Sequence, residues 1–328
     1  MARHLQVSNT GPSLHVKMAE ISRQMPFCYR FRLGDRVLED SIRRQGVLIP
    51  LTVQKLGNRY RVLAGHKRLE IARKLGCKKI PVYEIEKKLS AKDGLIFSLI
   101  SNWRQDVSEM DRARALTKAL QEFGFKADEV RNVVMPLLGL PEEQGVLGLY
   151  LKADAMALSV KDLFDEKKLP FRGVSALLRF STKDQDCFAR CLGSKMRLTA
   201  SQFVQVADWL ADIVKRDNKS LALVLKQNLL RKILNHPKMD PRTKADQFFA
   251  AIKKLRFPDY EAYLERFEKI RPLILREGKD IRFNPVAGFE DKGIDLHARV
   301  RTPADLERVL QKLSDSRSAL NSLFDFML

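Results

Sequence analysis

A glycine and three basic residues stand in sequence where a strand pattern changes to a helix pattern, at Gly65, His66, Lys67 and Arg68. The free N–H groups of a helix start already carry partial positive charge, so further cations are unfavourable there unless an anion lies against them. Glycine allows the backbone to come close to such an anion, and Lys67 and Arg68 add charge-assisted donors. The residues predict a phosphate site. Two roles stay open for His66: a ring N–H that binds phosphate, or a residue that packs or caps the helix start.

The elements that must position this site can be predicted from the flanking sequence. The segment "YRVLAGHKRLEIARKLG" alternates like a strand through Val62 and Ala64 and then takes helical spacing to Gly76. A helix over 36–44 ends at Gly46, a strand follows over 48–54, and Gly57 and Asn58 form a hairpin turn. "KKIPVYEIEK" adds another strand. The sequence therefore predicts an α+β unit of about a hundred residues.

Helical spacing replaces the strand pattern from about residue 90 onward. Helices are predicted in "AKDGLIFSLISNW" and "SEMDRARALTKALQEFG", and further on over 127–139, 143–157, 159–166, 171–180, 184–192 and 199–214. The region after 217 begins with helices to about 276. Two strands, "IRFNPVAGF" and "GIDLHARVR", then precede a helix with Thr302 as N-cap and Pro303 at its first position.

The composition favours a polyanionic partner. The 328 residues have a formal net charge of +20, and residues 1–110 contain 21 Lys and Arg against 10 Asp and Glu. Such charge attracts nucleic acid through counterion release. The four cysteines, at 28, 77, 187 and 191, lack C-x-x-C spacing, and no run of eighteen apolar residues occurs. We expect a cytoplasmic protein with reduced thiols and no membrane contact.

Four segments resemble, in order and spacing, the N-terminal part of ParB chromosome and plasmid partition proteins: "LEDSIRRQGVLIPLTV", "YRVLAGHKRLEIARKLG", "KIPVYEI" and "LISNWRQDVSEMDRARAL". The resemblance covers about 17–120 well and extends weakly to about 215. It implies an α+β fold with a tail over 1–16, a ParB/sulfiredoxin-like nucleotide-binding domain over 17–90, an all-α helix-turn-helix-like domain over 91–216, and a small α+β domain over 217–328.

The resemblance implies a site for CTP or another nucleoside triphosphate. It places Gly46, Ile49 and Pro50 beside the base or sugar, Gly65 to Arg68 at the phosphates, and Asn102, Arg104 and Gln105 beside the triphosphate. Ser101 stands where the family often has a glutamate near the metal or triphosphate. Because Mg²⁺ prefers oxygen ligands that include carboxylate, Mg²⁺ binding stays open, no metal ligand is predicted, and we expect slow or absent nucleotide hydrolysis.

The resemblance also implies that the middle domain binds double-stranded DNA. The second helix of the motif would begin near Glu143, and the predicted DNA contacts are Gln144, Lys152, Lys167, Lys168 and Arg172. This helix contains few basic residues, so the alternative is that it packs within the domain and does not recognise a DNA sequence. The implied partners further include a second copy of the chain, through the C-terminal region, and a ParA-like ATPase, with the protein at the nucleoid or a plasmid.

The favoured interpretation is a ParB-like, nucleotide-binding and DNA-binding protein that acts in partition or as a related DNA-bound regulator. A weak CTPase activity is left open, and a DNA-binding protein is favoured over a metabolic enzyme. The main alternative is a nucleotide-dependent kinase of a small molecule such as serine, with Glu39 or Asp40 as general base. A third is an adaptor whose pocket is empty.

Overall fold

A computed structural model of the chain describes residues 13–102, 107–167, 169–193, 195–274, 281–285 and 294–321. These residues pack into two compact units, Met1–Lys195 and Met196–Leu328. Within the described parts, no helix is both long and apolar enough to span a membrane. The fold is mixed α+β, as predicted.

The first unit begins with a four-stranded sheet and two helices: β1 Leu14–Lys17, α1 Arg36–Gln45, β2 Leu51–Leu56, β3 Arg59–Ala64, α2 His66–Lys74 and β4 Lys79–Glu84. The strand order is β1-β4-β2-β3. The β2–β3 hairpin is antiparallel as predicted, and β2 pairs with β4 in parallel. Its core consists of fully buried aliphatic side chains, among them Leu51, Val53, Val62, Leu69, Ile80 and Val82.

Two boundaries in this region differ from the prediction. Residues 1–16 were expected to form a tail, but Leu14–Lys17 is an edge strand that pairs with β4 and buries Val16. The strand predicted from residue 48 begins at Leu51, because Leu48 and Ile49 are exposed and the carbonyls of Ile49 and Pro50 accept hydrogen bonds from Arg68 instead of joining the sheet. The first strand was not predicted because most of its residues are exposed. The second was predicted too long because the loop before it contains the apolar residues Leu48 and Ile49.

The rest of the first unit is helical: α3 Ala91–Ser101, α4 Glu109–Gln121, α5 Ala127–Glu129, a π-helical segment Val130–Val134, α6 Met135–Leu137, α7 Gln144–Asp154, α8 Leu158–Lys167, a 3₁₀ turn Phe171–Gly173, α9 Val174–Leu177, α10 Thr182–Phe188 and a second π-helical segment Ala189–Gly193. Ser90, Ser108 and Ser181 cap three of these helices by accepting a hydrogen bond from a first-turn backbone N–H. The predicted helices are present with shifts of a few residues, although the one expected over 171–180 is a 3₁₀ turn plus one short helix.

The second unit contains α11 Ala200–Asp217, α12 Leu221–Leu225, α13 Asn228–Leu234, α14 Pro241–Arg256, α15 Pro258–Ile274, the antiparallel strands β5 Ile281–Pro285 and β6 Ile294–Ala298, and α16 Pro303–Asp315. Thr302 caps α16 by accepting from the Asp305 N–H, as predicted. The predicted middle domain, 91–216, included α11, but α11 packs on α14 in the second unit. Trp209 of α11 contacts Phe249 of α14, and Asp212 of α11 pairs with Arg256 at 2.8 Å. The continuation of the first predicted strand beyond Pro285 lies outside the described residues.

Candidate phosphate-binding site and DNA-contacting surface

The start of α2 lacks any side-chain cap. Gly65 is its N-cap residue, with φ 96° and ψ 24°, and the first turn contains no Asp or Glu. A Cβ atom at Gly65 would lie 2.6 Å from Leu51 Cδ2, so no other residue fits without displacing the core. By contrast, Asp35 and Ser90 cap α1 and α3. The first N–H groups of α2 are therefore open to an external acceptor.

Arg68 joins α2 to the loop before β2. One guanidinium nitrogen donates to the carbonyls of Ile49 and Pro50, the latter at 2.8 Å. This loop begins at Gly46, the C-cap of α1, whose φ of 75° favours glycine. Partial burial lowers the pKa of Arg68 through loss of hydration. The structure thus brings Gly46, Ile49, Pro50, Gly65 and Arg68 into one neighbourhood; their contact with a nucleotide stays a prediction.

His66 faces the interior and is only 4% exposed. One ring nitrogen hydrogen-bonds to the Val62 backbone, whereas Nε2 is buried without a partner among the described residues. The pKa of His66 is lowered to about 4, mainly by burial and in smaller part by the nearby charges of Arg30, Lys118 and Arg68. The ring is therefore neutral near pH 7, with its proton on the nitrogen that faces Val62, and Nε2 is an acceptor. Of the two open roles, the geometry favours packing over phosphate binding.

Lys67, the next residue, is partly exposed. Its Nζ atom is 4.0 Å from Asp35 Oδ2, at the limit of an ion pair. It lines a cavity of about 530 Å³ together with Arg32, Ser108, Asp165 and the residues Gly34, Val107, Glu109, Met110, Asp111, Phe164, Leu169, Pro170 and Phe171. Lys67 is thus the cation of the predicted segment that is available to a ligand.

Asn102 ends α3 and belongs to a buried polar cluster. Its Oδ1 accepts from Arg30 at 3.5 Å, and its Nδ2 donates to the Ser98 carbonyl at 2.7 Å. Arg30 also pairs with Asp111 at 2.8 Å, and both side chains are buried. Arg30 could not be predicted from the sequence, because nothing in "FCYRFR" distinguishes a buried arginine from a surface one. The predicted residues Arg104 and Gln105 lie outside the described residues.

Ser101 replaces the carboxylate that the family resemblance leads one to expect. It is exposed, and its hydroxyl donates to the Phe97 carbonyl at 2.8 Å, within its own helix. In the described parts of the chain, no group of three or more His, Cys, Asp or Glu residues could hold a metal ion.

Glu39 and Asp40 occupy the outer face of α1. Glu39 pairs with Lys74 at 2.9 Å and with Arg43 at 2.7 Å, and Asp40 pairs with Arg43 at 2.8 Å. The hydrogen bond from Lys74 is the main cause that lowers the pKa of Glu39, which makes it a weaker base. Lys74 ends α2, about 12 Å along the helix axis from its first turn. The geometry gives the proposed general base no support.

The predicted DNA contacts lie on α7 and after α8. Gln144 and Lys152 are exposed on α7, where Lys152 lines a groove of about 700 Å³ with Gly145, Gly148, Leu149, Ala155, Met156, Ser175, Leu178 and Gln185. Tyr150 fixes the opposite face of α7, since it stacks on Phe171 at 4.1 Å and donates to Glu109. Arg172 is exposed in the 3₁₀ turn. Lys167 ends α8, and Lys168 lies outside the described residues.

The chain is similar to several ParB partition proteins. The family model of the ParB N-terminal domain matches residues 35–103. The probable chromosome-partitioning protein ParB of Coxiella burnetii is 33% identical over 98 residues, 30% of this chain and 33% of that protein. Its Vibrio cholerae counterpart is 29% identical over 224 residues, 65% of this chain and 73% of that protein. The probable plasmid-partitioning protein ParB of Thermus thermophilus is 34% identical over 107 residues, 32% of this chain and 35% of that protein.

Two solved structures of C-terminally truncated ParB from Caulobacter crescentus are also similar. The complex with the centromeric parS site has a TM-score of 0.35 and 18% identity, and covers 60% of this chain and 98% of that chain. The complex with CTP-γ-S has a TM-score of 0.25 and 20% identity, and covers 55% of this chain and 98% of that chain. The chain spans about a third of the length of the Coxiella and Thermus relatives. The predicted resemblance to the ParB family is confirmed.

Proposed function

We propose that this ParB-like chain binds a nucleoside triphosphate at the start of α2 and DNA through the helices of the same unit. In the cell it would act in chromosome or plasmid partition, or as a related DNA-bound regulator. The observation that carries the proposal is the uncapped first turn of α2, which lies inside the segment that matches the ParB N-terminal domain. The proposal places the protein in the cytoplasm, at the nucleoid or a plasmid.

The phosphates would lie against the first N–H groups of α2. Gly65 leaves these groups accessible, and Lys67 reaches the same end of the helix from the cavity side. Arg68 would act mainly by holding the loop from Gly46 to Pro50, which is the segment expected beside the base or sugar. Asn102, Arg104 and Gln105 complete the site as the family resemblance implies. CTP is the nucleotide that this resemblance favours, and other nucleoside triphosphates are its competitors.

The kinase alternative is less well supported. Its proposed base, Glu39, is held by two cations near the far end of α2 from Gly65. A catalytic base must come within hydrogen-bond reach of the substrate hydroxyl. The helical part of the first unit, which a kinase of a small molecule does not need, has a use in a DNA-binding protein.

DNA would be contacted by the exposed side chains of α7 and the following turn. Lys152 and Arg172 can approach phosphates, and Gln144 lies at the exposed start of α7. Lys167 and Lys168 are included from the resemblance. Because most of these contacts are cations and α7 carries few groups suited to base edges, we propose that backbone contacts supply most of the affinity.

A homodimer is the proposed assembly, with a ParA-like ATPase as a further partner. Leu306 and Leu310 of α16 are 48% and 57% exposed, one helical turn apart, although the rest of the helix has a polar surface. Such an apolar strip is typical of a helix that packs against a second copy. The C-terminal region would thus join two chains.

Calorimetric titration of CTP, ATP, GTP and UTP with Mg²⁺ tests the nucleotide proposal. Wild-type protein should bind CTP in preference to the others. Gly65→Ala should weaken binding at least tenfold, because the new Cβ would contact Leu51 and shift the start of α2. Gly57→Ala is the matched control: Gly57 also has positive φ, but a Cβ there would meet nothing within 4 Å. Absence of binding by the wild type, or equal loss in both variants, would contradict the proposal.

A further inference from the structure

The second unit has a local excess of positive charge. Residues 219–257 contain ten Lys and Arg but two Asp and Glu, whereas residues 258–328 contain 12 and 13. The charge of this unit therefore lies in α12, α13 and α14 and their connections, rather than being spread along it. A balanced mixture, as in the later segment, would be the ordinary surface of a soluble protein.

The fold presents part of this charge on one side of α13. Leu230, Ile233 and Leu234 are buried, and α13 packs on α14. The opposite side is exposed and carries Arg231 and Lys232, with Asn228 and Asn235 one turn before and after them. Lys226, at the end of α12, and Lys238, after α13, are exposed at either end of the helix. We refer to Lys226, Arg231, Lys232 and Lys238 as the α13 surface.

The cations of the α13 surface differ from their neighbours, because they form no ion pair with any residue that the structure describes. Arg256 pairs with Asp212 at 2.8 Å, and Arg242 lies 3.4 Å from Asp246. Around the α13 surface, no described carboxylate comes within ion-pair distance. Four like charges along one short helix and its two ends repel one another, which is unfavourable unless an anion compensates them.

The turn that follows α13 is held in place from within the unit. Lys244 is buried and donates from Nζ to the His236 carbonyl at 3.1 Å. Asp240 caps α14 by accepting from the Thr243 N–H at 2.8 Å, and the Arg197 N–H donates to the Pro241 carbonyl at 3.0 Å. These hydrogen bonds fix the turn that contains Lys238. This part of the α13 surface is therefore held in place before any partner binds.

We infer that the α13 surface binds the phosphate backbone of duplex DNA without reading its sequence. A seven-residue helix is about 10 Å long, and over that length a duplex carries about six phosphate charges. Flexible cations flanked by asparagines are suited to phosphate oxygens and make no demand on base order. This contact goes beyond the proposed function, because it lies in the other unit and needs neither nucleotide binding nor the predicted helix-turn-helix.

The test is DNA binding by the full chain over a range of salt concentrations. Fluorescence anisotropy of a labelled mixed-sequence duplex of about 30 base pairs gives the slope of log affinity against log salt, which is about 0.9 per neutralised phosphate. The variant Lys226→Gln/Arg231→Gln/Lys232→Gln should reduce this slope by about 2 to 3, with at least a tenfold loss of affinity near 100 mM salt. The three side chains are exposed, so thermal stability should not change.

A charge-matched control removes three exposed cations from the balanced segment, in Lys269→Gln/Arg299→Gln/Arg301→Gln. This control loses the same net charge as the α13 variant, but at residues outside the α13 surface. It should therefore bind DNA within about twofold of wild type. An unchanged slope in the α13 variant, or an equal decrease in both variants, would overturn the inference.

A third variant separates this inference from the proposed function. Lys152→Gln/Arg172→Gln removes the cations proposed to contact DNA in the first unit. If the α13 variant loses its salt dependence and this one does not, the α13 contact stands and the DNA contact proposed for the first unit fails. The reverse result overturns the α13 contact and supports the first unit. Losses in both variants, with a silent control, support two contacts.

Discussion

At the scale of single residues, the four positions of the predicted phosphate segment have four different roles. Gly65 supplies a backbone conformation and a space that a Cβ atom would fill. His66 points inward, Arg68 holds a loop, and Lys67 is the side chain that lines the cavity. Three consecutive basic residues at a helix start point in three different directions, since successive side chains differ by about 100° around the axis. Of the three basic residues in this segment, Lys67 is therefore the one that can reach a ligand in the cavity.

The buried His66 makes a prediction about pH. Its pKa is about 4 in the folded chain and near 6.5 when exposed, so the unfolded chain binds more protons between these values. The free energy of unfolding should therefore be highest above about pH 6.5 and decrease as the pH falls toward 4. The expected loss between pH 7 and pH 5 is roughly 2 kcal/mol. Urea unfolding across this range measures the effect.

The control for this prediction is a pair of substitutions. His66→Gln should remove most of the pH-dependent part of the unfolding free energy, whatever its effect at pH 7. His236→Gln, at an exposed position of the second unit, should leave the wild-type pH dependence in place. An equal pH dependence in wild type and His66→Gln would show that other groups cause the acid sensitivity.

At the scale of elements, one side chain ties the segment before α1 to α8. Arg32 contacts three carboxylates of α8: Asp162 at 2.7 Å, Glu166 at 3.0 Å and Asp165 at 3.4 Å. Hydrogen bonding to Asp162 is the main cause that raises the pKa of Arg32. Removing Arg32 leaves three carboxylates on adjacent turns without their common partner, and their repulsion should loosen α8.

We expect Arg32→Met to speed amide hydrogen exchange in α8 and to reduce stability by about 1 kcal/mol, the range of partly exposed ion pairs. Arg43→Met is the matched control, because Arg43 also pairs with two carboxylates but both belong to its own helix. It should leave exchange in α8 unchanged. Exchange in α8 that is equally slow in both variants would mean that its packing on α4 suffices to hold it.

The elements themselves were largely predictable, and the exceptions have physical causes. The hairpin turn at 57–58, the glycine at 65 and the capping residue Thr302 are local signals, and the structure places each as predicted. The edge strand β1 gave no local signal, since one buried residue, Val16, holds it in place. Likewise, the ion pair of Arg30 with Asp111 joins residues 81 positions apart, which no periodicity can indicate.

At the scale of the whole molecule, the proposed DNA contacts and the proposed dimer contact lie in different parts of the chain. The cations proposed to contact DNA lie on α7 and its following turn in the first unit and on the α13 surface in the second, while the exposed apolar strip is on α16. A dimer through α16 would double the number of DNA contacts per particle and convert weak backbone contacts into a bivalent attachment. Dimerisation should therefore strengthen DNA binding without any change in the DNA contacts themselves.

We expect Leu306→Glu/Leu310→Glu to separate the two chains of the proposed dimer. Light scattering of the wild type should give twice the chain mass of 37.7 kDa, and the variant should give the monomer mass, because two carboxylates per chain would face one another across the apolar strip. Leu223→Glu/Leu229→Glu adds the same charge at similarly exposed leucines and should stay dimeric. A dimeric α16 variant, or a monomeric wild type, would show that α16 does not join two chains.

Dimerisation should also change the affinity for DNA in a way that depends on duplex length. If the α16 variant is monomeric, its affinity for a duplex long enough to hold both chains should fall well below that of the wild type. On a duplex that accommodates one chain, the two proteins should bind alike.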